Sequence, residues 1–150
     1  MNRGDKFERL VTGLLAGNPL ALSRAITVVE NETATAAAIQ TALQTSTGRA
    51  LTVGVTGPPG AGKSTLVNAF IGELRARDMT VGVIAVDPSS PLTGGAILGD
   101  RIRMAEHSGD TGVFIRSLAS RGHLGGLTRT TGRIVDVMDA AGFDIILIET

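Results

Sequence analysis

The spacing of apolar residues changes near residue 50 and divides the chain into two parts. Before that point, apolar side chains recur every three to four positions, as in the segment "DKFERLVTGLL" (residues 5–15), which is typical of amphipathic helices. A second helix is expected from Asn18, a favourable N-cap, and Pro19, which suits the first helical position. The segment "TATAAAIQTALQ" (33–44) predicts a third helix. We therefore expect residues 1–49 to form a helical N-terminal extension.

After Ala50, short apolar runs alternate with helical stretches. The runs predict strands over 51–56, 80–87, 112–117 and 144–150, and helices over 64–77, 126–142 and part of 96–107. Alternating strands and helices predict a mainly parallel sheet with helices on both faces, a three-layer α/β/α fold. Ligands of such folds bind at the carboxyl ends of the strands. Residues 50–150 are accordingly expected to form the N-terminal half of a nucleotide-binding domain that is incomplete at its C-terminus.

Composition narrows the classes of partner. The formal net charge of the 150 residues is zero and no block of like charge occurs, which argues against a nucleic-acid or membrane surface. Neither a signal peptide nor about 18 consecutive apolar residues is present. The absence of cysteine excludes disulfides and thiolate metal sites. We expect a cytoplasmic protein.

The segment "GPPGAGKST" carries a phosphate-binding motif. It matches G-x-x-x-x-G-K-[ST] between a predicted strand and a predicted helix. The expected nucleotide-binding residues are Gly57, Pro58, Pro59, Gly60, Ala61, Gly62, Lys63, Ser64 and Thr65. Lys63, one of only two lysines, is expected to reach the β- and γ-phosphates and to act catalytically, and Ser64 to ligate Mg²⁺.

Three carboxylates lie where a phosphate-loop enzyme needs metal ligands. Glu149 ends an apolar strand, Asp87 ends another, and Asp100 follows a loop rich in Gly, Ser, Thr and Pro. Mg²⁺ prefers oxygen ligands, so the segment 87–101 is interpreted as a mobile switch that carries acids to the metal. The alternative is a loop that leads into a helix, with Asp87 capping backbone groups and Asp100 solvated.

The loop after the third predicted strand contains Arg121 and His123. Its tip should face the nucleotide side, so these residues are candidates for contact with phosphate, a partner or the catalytic water. An ordinary solvated Gly-rich loop is the equal alternative.

Four segments together resemble one family. They are "GPPGAGKST", "AVDPSSPLTGGAILGDRIRM", "RSLASRGHLGGL" and "DIILIET", and they are similar to the MeaB/ArgK family of phosphate-loop GTPases. These are G-protein chaperones of cobalamin-dependent methylmalonyl-CoA mutase, often labelled lysine/arginine/ornithine (LAO/AO) transport ATPases. The resemblance runs from about residue 50 to the last residue.

The resemblance implies a GTPase that uses Mg²⁺, with GTP as substrate and GDP as product. It implies metal ligands at Ser64, Asp87, Asp100 and Glu149, with Asp100 catalytic beside Lys63. It also implies methylmalonyl-CoA mutase or a related cobalamin-dependent mutase as partner, and a homodimer in the full-length protein. Family members are about twice as long, so we expect this chain to be an N-terminal portion, without the guanine-reading segment.

Two other functions stay open at this point. One is an ATP-dependent kinase or a transport-associated ATPase for basic amino acids, as the older label of the family implies. The other is a nucleotide-binding fragment that does not hydrolyse, because a second switch is missing from these 150 residues.

Overall fold

The structure is a computed structural model that describes residues 2–31, 33–87, 106–119 and 129–150. Its helices and strands within these ranges are α1 (Arg3–Leu15), α2 (Pro19–Glu30), α3 (Ala34–Leu43) followed by a 3₁₀ turn (Gln44–Ser46), β1 (Leu51–Val55), α4 (Lys63–Ala76), β2 (Val81–Asp87), β3 (Val113–Ala119), α5 (Arg129–Ala140) and β4 (Ile145–Glu149). Contacts divide the chain into two compact units. The helical unit comprises residues 1–50 and 129–143, and the sheet unit comprises 51–128 and 144–150.

The helical unit is built from α1, α2, α3 and α5. Asn18 caps α2 by accepting from the backbone N–H groups of Leu20 and Ala21, both at 3.0 Å, which satisfies donors that have no partner within the helix. The apolar stripes pack into one core. Its largest fully buried side chains are Leu14, Leu22, Ile26, Val29, Ile39, Leu43, Ile134 and Met138.

Asp139, near the end of α5, is buried within the helical unit. Its carboxylate accepts from the backbone N–H groups of three successive residues, Gly48 at 2.5 Å, Arg49 at 3.3 Å and Ala50 at 3.0 Å. These bonds fix the segment that directly precedes β1 in the chain. A buried carboxylate needs such partners, because burial without hydrogen bonds is costly.

The sheet unit contains a four-stranded parallel sheet in the order β1-β4-β2-β3. The central strands are almost wholly apolar and buried, as "VGVIAV" in β2 and "IILI" in β4, which is the composition of strands covered on both faces. The α/β class with a parallel sheet is thereby confirmed. The predicted third strand, 112–117, is observed at 113–119.

Helix α4 packs on the sheet through one apolar stripe. Val67, Ile71 and Leu74 join a buried cluster with Val83 and Leu147. The stripe fixes the rotation of α4 and therefore the direction of its first turn, where Lys63 and Ser64 lie. The core thus positions the residues of the phosphate motif.

Part of the sequence-based prediction falls outside the described residues. This applies to the loop 88–99, to most of the predicted helix 96–107, and to residues 126–128 of the predicted helix 126–142. Observed α5 covers Arg129–Ala140. No helix within the described ranges is long and apolar enough to cross a membrane.

Candidate functional site

The phosphate motif forms a glycine loop between β1 and α4. Gly60 and Gly62 have φ angles of 79° and 89°, in the left-handed region that residues with a Cβ rarely adopt. Gly62 is also the N-cap of α4 and offers no side-chain cap. The first turn of α4 therefore presents backbone N–H groups and the positive end of the helix dipole to an incoming anion.

Lys63 holds its ammonium group at the mouth of this loop. Nζ donates to the carbonyl oxygen of Gly57 at 2.6 Å and to the carbonyl oxygen of Thr150. These two residues follow the carboxyl ends of β1 and β4, which are neighbouring parallel strands. The cation is therefore located at the sheet edge where ligands of such folds bind.

Ser64 and Glu149 lie together, although 85 residues separate them in the chain. Ser64 Oγ donates to Glu149 Oε1 at 3.0 Å, and Glu149 is only 6% exposed. Strand pairing explains the contact: Glu149 is aligned with Val55 of β1 on one side and with Ala85 of β2 on the other. A hydroxyl and a carboxylate at this separation provide only oxygen ligands, a donor set that fits Mg²⁺.

The other predicted metal ligands are not all described. Asp87 ends β2 two residues beyond Ala85, so its backbone lies at the same sheet edge as Glu149. The side chain of Asp87, the whole of Asp100, and the loop residues Arg121 and His123 lie outside the described residues. Within the described part of the chain, no group of three His, Cys, Asp or Glu side chains is placed to hold a metal ion.

Sequence reasoning missed a pair of threonines at this edge. Thr150 Oγ1 donates to Thr56 Oγ1 at 2.9 Å, and the backbone N–H of Thr150 donates to the carbonyl of Val55 at 3.1 Å. Each threonine is the last residue of a predicted strand, and this position was the signal available in the sequence. The pair ties the start of the glycine loop to the end of β4.

The comparisons with known proteins indicate the same family. A family model described as "Methylmalonyl Co-A mutase-associated GTPase MeaB" matches residues 22–150. A Pyrococcus horikoshii protein with a GTPase name is 52% identical over 144 residues, covering 96% of this chain and 45% of the relative. The GTPase ArgK of Escherichia coli K12 is 43% identical over 141 residues, covering 91% of this chain and 43% of the relative.

A solved structure agrees with these relatives. The crystal structure of an LAO/AO transport system kinase matches with a TM-score of 0.75 and 29% identity, over 100% of this chain and 44% of that one. The chain thus spans somewhat less than half the length of the proteins it matches. By the family match over residues 22–150, the chain belongs to the MeaB family of methylmalonyl-CoA mutase-associated GTPases.

Proposed function

We propose that the protein binds GTP with Mg²⁺ and hydrolyses the bond between the β- and γ-phosphates, and that it regulates a cobalamin-dependent methylmalonyl-CoA mutase. The observation that carries the proposal is the convergence of Lys63, Ser64 and Glu149 at the carboxyl edge of the sheet, in a chain of a GTPase family. The description of the family supports the choice of the mutase.

Each described residue has a defined part in this proposal. The left-handed turns at Gly60 and Gly62 curl the loop, so that the N–H groups of the first turn of α4 can surround the phosphates. The Ala61 N–H of the loop instead donates to the Pro58 carbonyl at 3.2 Å. The Lys63 ammonium moves from the carbonyls of Gly57 and Thr150 to the β- and γ-phosphate oxygens. There it stabilises negative charge that grows as the bond breaks.

The metal site is proposed at Ser64 and Glu149, with Asp87 and Asp100 as further ligands. When bound, Mg²⁺ neutralises phosphate charge and orients the phosphates. Ser64 must then turn its hydroxyl hydrogen away from Glu149 so that the oxygen faces the ion. Glu149 stays in place because β1 and β2 hold its strand on both sides.

The domain boundary and the assembly are part of the same proposal. We assign residues 1–49 to a helical extension and residues 50–150 to the N-terminal half of a GTPase domain, in a protein that forms a homodimer at full length. Release of the γ-phosphate would change the segment that follows Asp87, and the mutase would sense this change. The cytoplasmic location stays a prediction.

A second candidate function is an ATP-dependent kinase. It is favoured by one specific observation, the structural match to a protein that is named a transport system kinase. The third possibility, a chain that binds nucleotide without hydrolysing it, is an outcome of the experiment below.

The experiment measures nucleotide binding by calorimetry and phosphate release with GTP and with ATP, with and without the mutase, in the full-length protein. Lys63→Ala should abolish tight triphosphate binding, and Lys6→Ala, at the only other lysine of these 150 residues, is the matched control. We expect GTP to be preferred and the mutase to accelerate its hydrolysis by about five- to 150-fold, the usual range of coupling between sites. Preference for ATP, or stimulation by a basic amino acid, would establish the kinase or transport function instead.

A further inference from the structure

The helical unit contains a groove of about 850 Å³ between α1 and α2. On α1 it is lined by Lys6, Arg9, Leu10 and Gly13. Their spacing of i, i+3, i+4 and i+7 places them on a single helix face. This stripe spans about 10 Å at about 1.5 Å per residue.

The α2 side of the groove is a matching stripe. Leu20, Ala21, Arg24 and Val28 line it, again at helical spacing, together with the polar residues Asn18, Ser23 and Thr27. Leu20 is 58% exposed, and Ala21 and Val28 beside it are only half-buried, so this side of α2 presents apolar surface to solvent. We call the surface formed by these two stripes the α1/α2 groove.

The floor of the α1/α2 groove is made of small residues. A Cβ atom added at Gly13 would lie 3.0 Å from the Cβ of Ala21, so the two helices approach each other closely there. Small residues at such a crossing keep the floor low. A third helix can therefore come near both backbones, as it does where helices pack in ridges and grooves.

The charges around the groove have one sign. Lys6, Arg9 and Arg24 are exposed, and none of them has an ion-pair partner among the described residues. No Asp or Glu of the described helical unit lines the groove. In a chain whose formal net charge is zero, this is a local concentration of positive charge beside an apolar surface.

We propose that the α1/α2 groove binds an acidic amphipathic helix of a partner protein. The apolar face of that helix would cover Leu10, Leu20 and Val28, and its carboxylates would meet the three cations. Laying an amphipathic helix into a groove is a recurrent mode of recognition, and complementary charge gives such a complex its specificity. The stripes fit about two to three helical turns.

This interaction is distinct from the nucleotide site and does not depend on it. The lining residues belong to the helical unit, whereas Lys63, Ser64 and Glu149 belong to the sheet unit. Binding should therefore be the same with and without nucleotide, and the same in Lys63→Ala. Failure of the groove proposal would leave the proposed GTPase function untouched.

Two fluorescein-labelled synthetic peptides of about 15 residues test the proposal. Both carry leucines at helical spacing; one has glutamates at the flanking positions and the other has lysines. In fluorescence anisotropy with the full-length protein, the acidic peptide should bind at least about tenfold more tightly than the basic one. Raising the salt concentration from about 0.1 M to about 1 M shortens the Debye length from about 10 Å to about 3 Å and should therefore weaken the binding of the acidic peptide.

Variants locate the binding surface. Leu20→Glu places an acid in the first turn of α2, where the helix dipole favours it, so the fold should persist while affinity for the acidic peptide falls about tenfold. Arg24→Glu should weaken binding about fivefold. Arg3→Glu, on α1 outside the groove, is the matched control and should not change affinity. Circular dichroism checks that each variant is folded.

Four results would overturn the proposal. They are no saturable binding of the acidic peptide up to about 1 mM protein, equal affinity for both peptides, and affinity unchanged by Leu20→Glu. The fourth is that the groove serves another occupant. Self-association in sedimentation, or binding to phosphatidylserine vesicles, that Leu20→Glu abolishes would indicate a second copy of the chain or a membrane surface instead.

Discussion

Asp139 anchors the segment that leads into β1, and its replacement gives the sharpest test of the packing described above. Asp139 is 8% exposed, and its carboxylate accepts from the N–H groups of Gly48, Arg49 and Ala50. In Asp139→Ala these three donors lose their acceptor at once. We expect the helical unit to lose stability and the segment 48–50 to lose its fixed conformation.

The magnitude follows from the three bonds. A hydrogen bond to a charged group contributes about 1.5–3 kcal/mol, but the bond from Arg49 is long at 3.3 Å and adds little. Gly48 is an exposed residue, so its N–H can bind water when the carboxylate is gone, which reduces the loss further. We therefore expect Asp139→Ala to lower the free energy of unfolding by about 2–4 kcal/mol. Asp139→Asn keeps one acceptor oxygen and should cost about half as much.

Urea unfolding followed by far-ultraviolet circular dichroism at neutral pH measures this loss, and amide hydrogen exchange at residues 48–50 locates it. Glu8→Ala is the control, because it removes an exposed carboxylate of α1 in the same helical unit. Ordinary surface substitutions change the free energy of unfolding by up to about 0.5 kcal/mol. The anchoring role is refuted if Asp139→Ala changes the free energy of unfolding by no more than this and leaves amide exchange at residues 48–50 unchanged.

Three further predictions concern other acids. Burial, and then the negative charge of Asp139, raise the pKa of Asp136 above its ordinary value of 3.8. The folded chain therefore binds the proton of Asp136 more tightly than the unfolded chain does. The free energy of unfolding consequently falls as the pH rises from 3.8 through the folded pKa. Asp136→Asn should stabilise the protein at neutral pH and flatten that part of a pH series of urea unfolding. Conversely, the hydrogen bond from Arg75, and then the N–H of Gly112, hold the pKa of Asp110 below 3.8. Its stabilising contribution is present above 3.8 and lost as pH falls through the folded pKa, so Asp110→Asn should remove this acid-dependent loss from the same series. Asp100→Ala should weaken Mg²⁺-dependent GTP hydrolysis more than GDP binding in phosphate-release and calorimetric assays; equal losses would favour a role in the helix-leading loop.

Much of the local structure followed from the sequence, because it depends on neighbouring residues. Asn18 and Pro19 predicted the start of α2 correctly, since capping involves only the next few N–H groups. Contiguous apolar runs such as 81–86 predicted strands of a sheet covered on both faces, because such strands tolerate continuous apolar composition. The glycines of the phosphate motif predicted a tightly curled loop, and Gly60 and Gly62 adopt left-handed turns.

Strand order and long-range contacts were decided only by the tertiary structure. The sequence gives no reason for β4, the last strand in the chain, to lie between β1 and β2, yet this position brings Glu149 to Ser64. It gives equally little reason for Asp139 to bind the N–H groups of residues about 90 positions earlier, or for the α1 and α2 stripes to share a groove. Such contacts depend on which apolar faces bury each other most completely, a property of the whole chain, whereas turns and caps are set by a few adjacent residues.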